Sequence, residues 1–252
     1  MLEQKEIDSN HQICLELLDK FLEVCNKYKI NYYLAFGSCL GSVRHQGFIP
    51  WDINIDVLLM ADDYYKLNKA MKAENLGEYV WFKPQGNGRI RNLLMRKDSL
   101  EFKSKPNIDV AVYCNAPNND FLRYIVQKVA YLNVKMFKLK NTRVDRVFPF
   151  NVLKRITMII PDEVYYKVIS FLENHWKSQK DTEYYMVSTP SIFEDRETIK
   201  YSWFGKNSNY GIFEGRKVKL LDDCHNYLVN RYGKNYMTPI IWEDKGEYSH
   251  AK

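Results

Sequence analysis

The chain has 252 residues, 46% of them apolar and 27% charged, which is enough to bury a proper core and excludes both a disordered tail and a membrane channel. No run approaches the roughly 20 apolar residues of a membrane-spanning helix. The net charge of +6 is concentrated: between Asn118 and Ile160 nine basic residues face two acidic ones, so the rest of the chain is close to neutral. The first residues, MLEQKEIDSNHQ, are polar and lack an apolar signal-peptide core. Five cysteines (Cys14, Cys25, Cys39, Cys114, Cys224), without C-x-x-C spacing, argue against a disulfide framework and a structural zinc site. A cytoplasmic protein is expected.

In chain order, Ser9 with Gln12 reads as a capping box. The helix it opens carries Cys14, Leu18, Phe21, Leu22 and Cys25 at helical spacing. Asn31 to Gly37 reads as a strand ending at glycine, followed by a short helix from Cys39 to about Gln46 that Gly47 closes. Ile53 to Met60 is a strand with Asn54 and Asp56 on one face and Ile53, Ile55 and Val57 on the other. A helix from Ala61 to Asn75 follows, then strands at 92–102 and 107–113, the second carrying Asp109 among hydrophobes. Pro117, Asn118 and Asn119 mark a lobe boundary, giving an α/β core over 1–116 and an α-rich lobe over 117–252. In that lobe, helices are expected at 120–140, 150–160, 162–180 and 223–232, the last capped by Asp222 and stopped by Gly233.

The chemistry concentrates in FGSCLGSVRHQGFIPWDINIDV, Phe36 to Val57. Gly37 allows close backbone approach to a phosphate, and Ser38 at a helix start offers amide and hydroxyl donors. Alternate polar oxygens on one strand face present ligands to Mg²⁺, with Asp109 a third if its strand lies alongside. Metal-bridged phosphates would then allow in-line displacement at phosphorus. The bland reading of the strand is a solvated face, of Asp109 a strand-end cap, and of Arg44 a partner for a nearby carboxylate. Gly86-x-Gly88 lacks the third glycine and preceding strand of a dinucleotide fingerprint. His11, His175, His225 and His250 lack metal-ligand spacing and read as surface residues. Trp51, Trp81, Tyr201 and Trp203 are the candidates for an aromatic cage around a quaternary ammonium.

The run GSCLGSVRHQGFIPWD-x-x-IDV resembles the signature of the LicD/fukutin family, a branch of the nucleotidyltransferase fold. NIDVAVY and the terminal stretch YSWFGKNSNYGIFEGRKVKLLDDCHNYLVNRYGKNYMTP are similar to later landmarks of that family. The resemblance implies a nucleotidyltransferase-like mixed sheet core. It also implies Mg²⁺- or Mn²⁺-dependent transfer of a phospho-alcohol, phosphocholine first, from a CDP-linked donor to a sugar hydroxyl of a bacterial surface glycan (lipopolysaccharide, capsule or teichoic acid), with release of CMP. Asn54, Asp56 and Asp109 would bind the metal, Asp109 alternatively serving as base, and Asp52 would contact metal or donor through water. Gly37 and Ser38 would cradle the diphosphate, Arg44 and His45 would contact phosphate or brace the strand, and Arg96 and Lys97 would be further diphosphate partners.

One position departs from the family pattern: Asn54 stands where a metal-binding aspartate is usual, which keeps an oxygen and loses a charge. Either the natural protein is weakly active or inactive, or this is a deliberately inactivated variant; the intact remainder of the site favours the second. The alternatives are a catalytically silent binding or scaffold protein, and a nucleotidyltransferase acting on RNA or a small molecule. For the basic 118–160 segment, a solvated helix face is the default reading. An anionic acceptor (a phosphorylated glycan or a lipid-linked one) or the inner membrane leaflet comes next; no nucleic acid partner is expected.

Overall fold

The computed structural model describes residues 4–83, 90–101, 105–141, 150–177, 179, 181–190, 197–204 and 209–239. Arg143 and Arg146 of the basic segment, Gly86, Gly88 and His250 lie outside the described residues. In chain order the elements are α1 (Gln4–Lys27), β1 (Tyr33–Leu34), α2 (Phe36–His45), β2 (Ile55–Met60), α3 (Ala61–Ala73), β3 (Tyr79–Phe82) and β4 (Leu93–Arg96). Then come β5 (Ile108–Ala116), α4 (Asp120–Lys140), α5 (Phe150–Ile159), α6 (Asp162–His175), β6 (Tyr184–Val187), β7 (Thr198–Lys200), β8 (Asn209–Phe213), β9 (Arg216–Leu220) and α7 (Cys224–Tyr232). The architecture is mixed α/β, as the sequence predicts. The chain divides into two compact units, Met1–Val80 with Leu94–Ala111 and Ser202–Lys252, and Trp81–Leu93 with Val112–Tyr201.

In the first unit, α1 buries Ile13, Cys14, Leu17, Leu18, Phe21 and Val24, the i, i+3, i+4 stripe of an amphipathic helix. It begins by Gln4, so Ser9 is interior and the expected capping box does not form; Gln4 instead bonds Asp8 one turn on, at 2.8 Å. β1 pairs antiparallel with β2, Leu34 opposite Val57. β2 alternates buried Ile55, Val57 and Leu59 with half-exposed Asp56 and Met60, and Leu58 is buried as well. Ile55 N donates to Asn107 O at 3.0 Å, and β2 and β5 are sheet neighbours that both run forward from that bond. The two strands are therefore parallel there, and Asp56 lies level with Asp109. The hairpin β8–β9 turns at Glu214 and Gly215, φ 48° and 75°, the two positive values a tight hairpin requires.

In the second unit, the remainder of β5 pairs antiparallel with β6 (Tyr113 opposite Val187), and β6 with β7. α4 begins as expected, with Asn119 Oδ1 accepting from Leu122 N at 2.9 Å, and packs against α5 and α6. Glu173 and Ser188 are buried together with the Arg91 guanidinium: Ser188 Oγ donates to Glu173 Oε1 at 2.7 Å, and Arg91 bonds both.

Several boundaries differ from the sequence reading. The strand expected over 31–37 shrinks to two residues, because the chain turns into α2 at Phe36 rather than Cys39. The strand expected over 92–102 stops at Arg96, and a 3₁₀ turn carries Lys97–Glu101. α6 stops at His175, short of the expected Lys180. β3, β6 and β7, short and without clear alternation, were not predicted. α7 takes Asp223 as N-cap, its Oδ1 accepting from Asn226 N at 3.1 Å. Asp222, the expected cap, instead accepts from Asn209 N at 3.2 Å.

Candidate active site

The site is built where β1 hands the chain to α2. Phe36 has φ 45°, a left-handed conformation that disfavours a side chain, and its N–H donates to the Tyr227 hydroxyl at 3.0 Å. Tyr227 is buried in α7, so the last helix pins the entry of α2. The N-cap residue itself, Ala35, gives α2 no side-chain cap. Gly37 and Ser38 fill its first turn, and both are buried. The Ser38 hydroxyl is turned back to the sheet, where its Oγ accepts from Asp56 N at 2.8 Å. The serine read as a phosphate donor thus also fixes the strand that carries the carboxylates.

On the face of β2 and β5, Asp56 and Asp109 stand level, both half-exposed. Asn54 is half-exposed, two residues before Asp56, and its Nδ2 donates to Asp56 Oδ1 at 3.0 Å. Asp109 Oδ1 accepts from the N–H of Val110 at 2.9 Å. Asp52 precedes the strand in a turn, its N–H donating to Ile49 O at 2.9 Å and its carbonyl held by His11 Nε2 at 2.7 Å. His11, read from the sequence as a surface residue, is half-buried and stacked on Phe48 with ring centroids 4.0 Å apart. It braces the Trp51–Asp52 turn from α1. Burial raises the Tyr232 hydroxyl pKa, and the Asp56 and Asp52 carboxylates add to that rise, which sets this α7 tyrosine in the electrostatic neighbourhood of the acidic face. The Cys14 thiol, bonded to Ile53 O at 3.2 Å, is pushed up to about 12 chiefly by burial. It is structural rather than nucleophilic.

Arg44 and His45 sit at the opposite end of α2. Arg44 Nε donates to His45 Nε2 at 2.9 Å and Nη1 to Tyr236 O at 3.0 Å, which ties α2 to the Tyr-Gly-x-x-Tyr ending. Burial lowers the pKa of both, and for His45 the Arg44 charge lowers it further. Arg96 bonds Glu16 at 2.8 Å and Asp98 at 2.7 Å, and Lys97 Nζ donates to Gly77 O at 2.7 Å. Those contacts involve none of Ser38, Asp56 and Asp109. Glu214, which the sequence reading missed, bonds the Phe48 N–H through Oε1 at 3.2 Å, while its own N–H donates to Gln46 O at 2.8 Å. Ser42 Oγ donates to Ile212 O at 2.8 Å, so the hairpin clamps α2 from the side. The Glu-Gly pair between alternating residues was the available signal for this turn. Of the aromatic-cage candidates, Trp81 is buried, and Tyr201 is exposed with its ring 5.7 Å from that of Tyr185.

Among the described residues no three His, Cys, Asp or Glu side chains gather as a metal-ligand set. The β2–β5 face offers two carboxylates and one amide. Its oxygens are the hard donors that Mg²⁺ or Mn²⁺ prefers, so Asp56 and Asp109 fit such a cation. Asn54 turns its nitrogen toward Asp56, and thereby supplies part of the positive charge that a cation would bring.

The site thus sets a helix opening with Gly-Ser against a strand that carries Asp56, with Asn54 just before it. Residues 29–99 match the family model for LicD, described as the LicD/FKTN/FKRP nucleotidyltransferase domain. Over 257 residues the chain is 26% identical to the lipopolysaccharide cholinephosphotransferase LicD of Haemophilus influenzae, covering 92% of each. An uncharacterized protein of Rickettsia prowazekii is 36% identical over 66 residues, 26% of this chain and 25% of that one. A solution structure of the antibiotic-resistance factor ANT(2'')-Ia, 11% identical, overlaps 67% of this chain and 94% of that one with a TM-score of 0.25. The chain is thus similar to the LicD family through residues 29–99, and to one lipopolysaccharide cholinephosphotransferase along nearly its whole length.

Proposed function

We propose that this protein transfers phosphocholine from CDP-choline to a sugar hydroxyl of a bacterial surface glycan, lipopolysaccharide first, and releases CMP. The observation that carries the reading is the acidic face itself, Asp56 and Asp109 level on neighbouring strands with Asn54 bonded to Asp56, beside the Gly37-Ser38 turn. Support also comes from the likeness along nearly the whole chain to a lipopolysaccharide cholinephosphotransferase.

The residues divide the work. The N–H groups of Gly37 and Ser38 in the first turn of α2 would offer donors to the diphosphate. Ser38 holds Asp56 in register through its backbone. Asp56 and Asp109, with the Asn54 amide as a weaker third, would hold a divalent cation, which when bound neutralises phosphate charge. Alternatively, Asp109 serves as the base that accepts the proton of the attacking sugar hydroxyl. Arg44 and His45 brace α2 against the C-terminal segment. Arg96 and Lys97 act, if at all, on the donor's periphery. Because Asn54 leaves the set one negative charge short, a cation would be held more weakly there and turnover would be low. That same substitution favours a second reading, a silent binding protein of this fold.

The test is product analysis with CDP-choline, Mg²⁺ and lipopolysaccharide, for the chain and for Asn54→Asp in parallel. CMP, with Asn54→Asp faster and Asp56→Asn silent, is the expected result. Pyrophosphate instead of CMP would mark a nucleotidyltransferase. No turnover by either form with any CDP-alcohol would leave the binding-protein reading in its place.

A further inference from the structure

The second unit contains two helices whose burial runs against their chemistry. Along α4, the stripe Phe121, Ile125, Val129 and Leu132 recurs at i, i+4, i+8 and i+11, one face of a helix, and faces solvent, with Phe121 75% exposed. The inward face of the same helix takes Val126, Ala130 and Phe137 and, beside them, the polar Gln127 and Asn133, which bond Thr198 Oγ1 and Tyr165 O. In α5 the polar Thr157 is fully buried while Ile156, Met158 and Ile159 are 51%, 60% and 82% exposed. α5 packs against α4. An apolar helix face left in water costs roughly 25 cal/mol for each Å² that a partner could cover. Two adjacent helices with this inversion mark a binding surface.

The charge around the stripe identifies the occupant. Lys128 and Lys135 rise from α4, and Arg155 from α5 next to Ile159 and Ile156. The acidic residues at the ends of this region are already engaged, Asp120 by Arg123 and Asp162 by Lys140. Lysine is depleted at the centres of protein interfaces. Aliphatic residues ringed by Lys and Arg are the composition of a helix lying in an anionic headgroup layer, with the long basic stems reaching along the apolar surface to phosphate. Among the described residues no helix is long and apolar enough to cross a membrane, so the contact is peripheral. We infer that the outer face of α4 and α5 docks on the surface of an anionic phospholipid bilayer, with Ile156 and Ile159 entering the acyl boundary and Lys128, Lys135 and Arg155 meeting lipid phosphates. This inference does not depend on the transferase reading.

The test is co-sedimentation of the full chain with vesicles of phosphatidylcholine alone and of phosphatidylcholine mixed with phosphatidylglycerol. Thermal melts of each variant confirm that it is folded. The chain pellets with the anionic vesicles, less so as salt rises, and much less with the neutral ones. Ile156→Glu with Ile159→Glu weakens binding at least about tenfold, and Lys135→Gln with Arg155→Gln weakens it about fivefold per residue. Failure to bind anionic vesicles overturns the inference, as does binding that survives the Ile156→Glu/Ile159→Glu change. So does a concentration-dependent dimer, dissolved by that same change, in a chain that does not bind vesicles; a second copy would then be what covers the face.

Discussion

Replacing Asn54 by aspartate should make the protein less stable without a divalent cation and restore the loss with one. In the structure the Asn54 Nδ2 donates to Asp56 Oδ1 at 3.0 Å. A hydrogen bond to a charged acceptor contributes about 1.5–3 kcal/mol. An aspartate there loses that bond and sets a second carboxylate beside the first. Two unit charges about 4 Å apart repel by about 4 kcal/mol at an effective dielectric of 20. Both side chains are half-exposed, so rotation and water relieve much of this, and a net loss of about 2 kcal/mol remains. For a chain of this size that lowers Tm by about 4–8 °C. The paired carboxyls share a proton readily, so one of them titrates above its unfolded value and the deficit shrinks as the pH falls below about 5. Saturating Mg²⁺ raises Tm of the aspartate form by more than that of the parent. Scanning calorimetry in EDTA and in Mg²⁺, at neutral and acid pH, measures all of this. Equal stability of the two forms in EDTA, with identical responses to Mg²⁺, would show that positions 54 and 56 do not form a cation site.

Other consequences follow from the supports of the site. A Cβ on Gly41 would lie 2.3 Å from the backbone oxygen of Gly47, so Gly41→Ala forces a backbone shift and costs about 1–3 kcal/mol in urea unfolding. A Cβ on Gly47 meets Glu214 Oε1 at 2.0 Å; Gly47→Ala pushes that carboxylate off the Phe48 N–H, costs about 1 kcal/mol, and adds little in a Glu214→Ala background. Glu173→Gln leaves the buried Arg91 charge short of its partner and costs about 3 kcal/mol, whereas Glu173→Gln with Arg91→Met costs less than that single change. His45 has its folded pKa held down by burial and by Arg44, so its contribution to stability is present above the ordinary histidine range and is lost as pH falls through it. A Tm-versus-pH series for His45→Gln is accordingly flatter than the parent between about pH 7 and pH 5.

Local signals carried much of this account. Alternation placed Asp56 on an exposed strand face because a strand has period two, although the strand expected from Ile53 begins at Ile55 and leaves Asn54 in the bend before it. Asn119 and Gly233 bounded α4 and α7 through capping chemistry that acts within a few residues. What stayed hidden depends on partners distant in the chain. Phe36 adopts a left-handed conformation because Tyr227, 191 residues later, takes its N–H. His11 is held by Asp52 and Phe48, and Glu214 reaches back to Phe48. Arg96 followed a strand as predicted, yet its contacts are with Glu16 and Asp98. The inverted faces of α4 and α5 were visible as aromatic and basic residues in one segment, but only the folded helices show the apolar ones outward.

The central claim is that phosphocholine moves intact to a glycan hydroxyl, and the mass of the acceptor tests it most directly. Lipopolysaccharide glycan incubated with CDP-choline, Mg²⁺ and Asn54→Asp should gain one phosphocholine per CMP released, and should gain none when Asp56→Asn is added. CMP formed without any gain in glycan mass, or a gain corresponding to the nucleotide rather than to phosphocholine, would contradict the account.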